Sequence, residues 1–168
     1  MIYTFKDGVS PVGTPVLDRA GNLYGTTFTG GAYNQGAVYK LKPQKKGKWI
    51  ETTLYSFKNN YKDGSGPYGG IVLDAVGNIY GCTVVGGTFG DGTVFEVAAR
   101  GWPREKVLWN FNSRDGDVPQ GNLILDSAGH LYGTASGGGT GIGGVVFEVT
   151  QLLVNLLQAC PAGFGRER

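Results

Sequence analysis

One pattern is written three times along this chain, and a repeat of that length restricts the fold it can adopt. Asp7-Gly8, Asp63-Gly64 and Asp115-Gly116 each open the same run. Pro11, Pro67 and Pro119 follow, then Gly13, Gly69 and Gly121, then Leu17-Asp18, Leu73-Asp74 and Leu125-Asp126. Gly21, Gly77 and Gly129 come next, ahead of Tyr24-Gly25, Tyr80-Gly81 and Tyr132-Gly133. A Gly-Gly pair (Gly30-Gly31, Gly86-Gly87, Gly138-Gly139) and a lone Gly36, Gly92 or Gly144 finish each run. The copies lie 56 and then 52 residues apart, with no gap inside a copy. A period near 50 residues means stacked or radial units that share a core with their neighbours. Glycine makes up 31 of the 168 residues, and its fixed placement marks turns and close backbone approaches rather than linker.

Each copy reads as four strands, A to D. Thr14–Asp18, Gly70–Asp74 and Asn122–Asp126 are short apolar runs bounded by turn residues, as buried strands are. Three-residue turns follow, in which the glycine supplies positive φ and the aspartate accepts hydrogen bonds from turn amides. The second strand covers Asn22–Thr27, Asn78–Thr83 and His130–Ala135, and the third Ala37–Leu41, Thr93–Val97 and Val145–Val149. The fourth is Thr53–Phe57 or Val107–Phe111, and Met1–Phe5 matches it. Four antiparallel strands in about 50 residues is the arithmetic of a propeller blade. The expected fold is therefore all-β: a β-propeller, preferred over a sandwich or β-solenoid, with three four-stranded blades over residues 1–150, at 14–57, 70–111 and 122–149.

Propellers usually close with four to eight blades, and an open arc leaves a strand edge bare. The expectation is a homodimer that forms a six-bladed ring by strand exchange, residues 2–5 of one copy pairing with 145–149 of the other. A nine-bladed trimer or a single open chain are the other outcomes. Beyond Thr150 the pattern stops. Gln151–Ala159 places Leu152, Leu153, Leu156 and Leu157 on one stripe, which suggests a short amphipathic helix, and residues 160–168 read as unstructured. A start within a blade and an unrelated tail fit either an excised reading frame or a natural terminal extension.

The formal net charge is +2, and Lys42, Lys45, Lys46 and Lys48 form the sole basic cluster, which reads as a hairpin tip. A nucleic-acid footprint would need a basic stripe beyond one loop. No run approaches the roughly 18 apolar residues of a membrane span, and Met1–Phe5 lacks signal-peptide regions. Neither nucleic acid nor membrane is expected as a partner. Cys82 and Cys160 sit in unlike contexts and read as free thiols.

The run Gly21-Asn22-Leu23-Tyr24-Gly25-Thr26-Thr27, followed by Gly30-Gly31 and Gly36-Ala37-Val38-Tyr39-Lys40-Leu41, resembles the bacterial tandem repeats known as GloVer repeats. The second and third copies carry the same marks in Ile79-Tyr80-Gly81-Cys82-Thr83 and Leu131-Tyr132-Gly133-Thr134-Ala135. The resemblance implies a propeller and exported or surface-anchored relatives, and it supplies almost no chemistry.

With strand A innermost, the D-to-A loops and the B-to-C loops share one face, at the mouth of the central channel. The candidate ligand-binding residues there are Asp7, Asp63, Asp115, Tyr33, Asn34, Gln35 and Asp91. Oxygen donors of this kind suit Ca²⁺ or another hard divalent ion, with Asp7, Asp63 and Asp115 as the candidate metal ligands. The competing reading of each Asp-Gly is turn geometry. Asp18, Asp74 and Asp126 belong to the opposite face as turn caps, and Tyr24, Tyr80 and Tyr132 read as packing groups between blades. His130 reads as a turn residue, and one such histidine supports no Ser-His-Asp arrangement. The functional expectation is a rigid platform for a small-molecule, glycan or protein ligand. The alternative is a metal-dependent hydrolase of esters, lactones or phosphotriesters, with its site at the channel.

Overall fold

One carboxylate builds the first hairpin turn of every copy. Asp18 accepts from the backbone amides of Ala20 and Asn22, from the Asn22 side chain, and from the Tyr24 hydroxyl at 3.1 Å. Asp74 gathers Val76, Gly77, Asn78 and Tyr80 in the same way, and Asp126 gathers Ala128, His130 and Tyr132. Gly21, Gly77 and Gly129 take φ of +79°, +93° and +91°, as the turn reading requires. The Leu-Asp-x-x-Gly-Asn-x-Tyr spacing is thus a folding instruction: the tyrosine two residues beyond the asparagine bonds back to the turn.

The computed structural model describes residues 1–6, 8–100, 105–141 and 143–150. The fold is all-β, with three separate antiparallel sheets, one per copy. The first contains β1 (Pro11–Leu17), β2 (Leu23–Thr27), β3 (Ala37–Pro43) and β4 (Trp49–Ser56), in that order. In the second, β5 (Gly64–Pro67) and β6 (Val72–Leu73) both pair with β7 (Ile79–Gly86), which is followed by β8 (Thr93–Val97) and β9 (Glu105–Asn110). The third contains β10 (Ile124–Leu125), β11 (His130–Ala135) and β12 (Val145–Thr150). No helix among the described residues is long and apolar enough to cross a membrane. The proposed helix at Gln151–Ala159 lies outside the described residues.

The inner strands are more broken than the apolar runs suggest. A Cβ on Gly13 would meet the Gly69 backbone at 2.6 Å, and one on Gly69 would meet the Gly121 carbonyl oxygen at 2.3 Å. The three backbones therefore step against one another at the glycines, and the ladder within each sheet yields there. The outer strand starts earlier than expected, at Trp49, because β3 and β4 extend their pairing through Pro43 and Trp49.

Each sheet has a front face toward the copy before it and a back face toward the copy after it. Val38 and Phe57 on the back of the first sheet pack on Ile71, Ile79, Phe95 and Val97 on the front of the second. Tyr80, Cys82, Val94 and Phe111 on the back of the second pack on Leu123, Leu131 and Val149 of the third. Burying side chains of this size contributes roughly 1.5–3 kcal/mol each, so the cores between sheets hold the stack together. A glycine makes room for each aromatic: a Cβ on Gly81 would lie 2.6 Å from the Phe95 ring, and one on Gly133 would lie 2.4 Å from the Phe147 ring. Phe57 meets Phe95 edge to face at 5.0 Å, and Phe111 meets Phe147 at 4.9 Å.

Met1–Phe5 forms no strand within the chain. Its side chains nonetheless sit where an outer strand of a preceding sheet would put them. Phe5 meets Tyr39 at 4.9 Å, repeating the Phe57–Phe95 contact, and Tyr3 donates to Glu51 at 3.4 Å.

Candidate functional site

The loop face is stitched together by backbone contacts between copies. The Gly66 amide donates to the Gln35 carbonyl at 2.9 Å, and the Val118 amide to the Asp91 carbonyl at 3.3 Å. Each D-to-A loop therefore rests on the B-to-C loop of the copy before it. Gln35 also accepts the Ser65 hydroxyl at 2.6 Å. Asn34 has a φ of +53°, and its side chain accepts from the Gly30 amide, so it shapes its own loop. Tyr33 is exposed, with the Lys58 ammonium 5.5 Å from its ring centre. Asp91 accepts from the Ser113 hydroxyl at 3.0 Å.

The two described Asp-Gly aspartates, Asp63 and Asp115, both accept hydrogen bonds from residues that precede them in the chain. Asp115 accepts from both the amide and the side chain of Asn112, at 2.9 and 2.8 Å. Asp63 is only 4% exposed, and its Oδ2 accepts from the Tyr55 hydroxyl and the Lys58 amide, both at 2.8 Å. Tyr55 lies on β4, the edge strand of the first sheet, so this carboxylate is held against that strand. Asp7 lies outside the described residues. Tyr33, Lys58, Asp63 and Tyr55 form one neighbourhood, Gln35 and Ser65 a second, Asp91 and Ser113 a third. Among the described residues, no three His, Cys, Asp or Glu side chains gather as a metal set would.

Sequence reasoning missed Glu105. It lies at the start of β9 within hydrogen-bonding reach of Asp63. Asp63 Oδ1 and Glu105 Oε1 are both buried without a donor. Burial first, and then the neighbouring Asp63 charge, pushes the Glu105 carboxyl up to about 8. Burial likewise raises Asp63, against the hydrogen bonds from Tyr55 and Lys58. Two carboxyl groups so placed hold one proton between them. The clue was present in the repeat: Glu51 and Glu105 occupy equivalent places, as do Tyr3 and Tyr55, and Tyr3 bonds Glu51.

A recess of about 440 Å³ opens at the turn face, where the inner strands meet. Val16, Val72, Leu73 and Leu125 wall it, with Asp74 and Asp126 at the rim. Asp126 is held below its ordinary range first by the His130 amide. His130 replaces the asparagine of the other copies and opens β11 directly after the turn, 3.2 Å from Asp126 and 3.7 Å from Glu148. Cys82 is buried and reduced, and burial pushes its thiol up to about 12, so it is an inert packing group.

No curated protein matches the chain. The model of the Gloeobacter/Verrucomicrobia repeat matches residues 1–157. With the Tyr-Gly turn hub, the glycine beneath each third-strand aromatic and the repeated seams all falling within that span, the chain belongs to the Gloeobacter/Verrucomicrobia repeat family.

Proposed function

We propose that this chain is a non-catalytic repeat module, half of a six-bladed β-propeller, and that two copies close a ring serving as a rigid platform for a small-molecule, glycan or protein ligand. One observation carries the reading. Val38 and Val94, at equivalent places on the backs of the first and second sheets, are each 0% exposed, whereas Val146 on the third is 82% exposed. Ile124, on β10 of the same sheet, is exposed as well. The third sheet thus presents the face that its sisters bury, and the face that suits it is the front of a first sheet. Closed symmetric assembly covers that exposed face of each copy with another copy's first sheet.

Solution mass tests the reading. Light scattering should give about twice the chain mass of 17.8 kDa, and Val146→Asp should return the protein to the single-chain value. A wild-type monomer at micromolar concentration would sink the ring. Chelator-sensitive hydrolysis of aryl esters or phosphotriesters, lost on Asp115→Ala, would replace the platform with the hydrolase.

A further inference from the structure

Resting on the two-copy ring above, we infer that its closing seam is a strand addition of fixed register, in which Thr4 of a second copy stands opposite Val145. The strand pairing of this seam already exists twice within the chain. On the third strand, Ala37 stands opposite Ser56 in the first sheet and Thr93 opposite Asn110 in the second. Val145 is the equivalent of Ala37 and Thr93, and Thr4 is the equivalent of Ser56 and Asn110. The outer edge of β12 has no ladder partner among the described residues, and Thr4 is exposed with no ladder of its own. Phe5 already packs against Tyr39 as Phe57 packs against Phe95. The segment at 2–5 therefore lies against its own first sheet by side chains, and offers its backbone to the third sheet of another copy.

The inner half of the seam follows the same rule. The Thr26 hydroxyl donates to the Gly69 carbonyl of the next copy at 3.2 Å. Thr134 is the equivalent of Thr26, and its hydroxyl is directed to the Gly13 carbonyl of the second copy. A Cβ on Gly36 would meet Pro67 at 2.6 Å, and one on Gly92 would meet Pro119 at 2.8 Å. Gly144 accordingly receives Pro11 of the second copy. The occupant is another copy of this chain because the front of its first sheet carries the proline, the glycine and the outer-strand aromatic that these positions match.

The Ser56/Ala37 pair is flanked by the bond from the Phe57 amide to the Gly36 carbonyl, which makes it a non-hydrogen-bonded pair. Cβ atoms come closest at such pairs, where a cross-strand disulfide fits. The test is the full chain carrying Thr4→Cys and Val145→Cys in a Cys160→Ser background, oxidised and run without reductant, beside an out-of-register control, Thr4→Cys with Thr150→Cys. The expected result is a covalent dimer as the main product of the first pair and not of the control. In the wild-type chain, amide exchange should find the outward amides of β12 as protected as those of β3. A dimeric native mass without the in-register cross-link, or with equal cross-linking of the control, would overturn the register and leave the ring standing. A ladder of higher species would support the register and remove the ring. A monomeric mass with unprotected β12 amides, or with residues 151–168 shielding them, would overturn both.

Discussion

The seams between sheets one and two and between sheets two and three are built to one plan, yet only half of the plan is kept constant. Both have an outer-strand phenylalanine edge-on to a third-strand phenylalanine at nearly the same distance, with a glycine beneath it. The polar contacts differ. The first seam has the Thr26 hydroxyl on the Gly69 carbonyl, Gln35 on Ser65, and the Tyr55–Asp63–Glu105 network. In the second seam Cys82 replaces that threonine, exposed Trp109 replaces Tyr55, and Asp115 bonds within its own loop. Shape sets how one sheet sits on the next, and hydrogen bonds are added where local space allows. An apolar contact between two large rings tolerates no register slip, whereas a lost surface hydrogen bond is replaced by water.

The sharpest way to break this comparison is to fill the space under the aromatic. Gly81→Ala puts a methyl 2.6 Å from the Phe95 ring, which is itself trapped by Phe57, and should cost about 1–3 kcal/mol in urea denaturation. Gly25→Ala, against the Tyr39 ring that packs on Phe5 of the strandless N-terminal segment, should cost less. Equal losses at both sites would show that ring confinement does not set the seam.

A second effect separates the seams by pH. Glu105 has its carboxyl raised from 4.5 to about 8, so the folded chain binds a proton that the unfolded chain releases. The contribution is fully present below about 4.5, and stability falls as pH rises through about 8. Glu105→Gln, which keeps a donor toward Asp63, should flatten the fall and raise stability at pH 8 relative to wild type. A wild-type denaturation midpoint that climbs between pH 5 and 8 would contradict the shared proton.

The smallest effect concerns one hydroxyl. Thr26→Val should cost about 1 kcal/mol by removing the bond to Gly69. Cys82→Thr should return about as much by offering the same bond to the Gly121 carbonyl. If the second substitution is neutral or harmful, the two seams differ in backbone placement as well as in donors.

Much of this arrangement was legible in the sequence because the repeat compares the chain with itself. The Asp-x-x-Gly turn, the positive φ of Gly77 and the order of strands follow from residue types at fixed spacing. The placement of Asp63 was not legible. Asp-Gly announces a turn, and nothing local says that a six-residue offset from Phe57 folds the carboxylate back onto Tyr55. Its contact with Glu105 joins residues 42 apart, from the loop before β5 to the start of β9, which spacing within one copy does not encode. The broken inner strands were hidden for a similar reason: the close approach at Gly13, Gly69 and Gly121 involves three copies at once, while a strand run is read in one.

A sheet that carries both a donor face and a receptor face can be multiplied without being redesigned. Tandem duplication of a gene segment, or loss of one by unequal crossover, would leave each remaining unit a compatible neighbour on either side. Circumference is then adjusted in whole-unit steps, by genetics or by association of separate polypeptides, and loops at either mouth are free to diverge while the packing between units stays fixed.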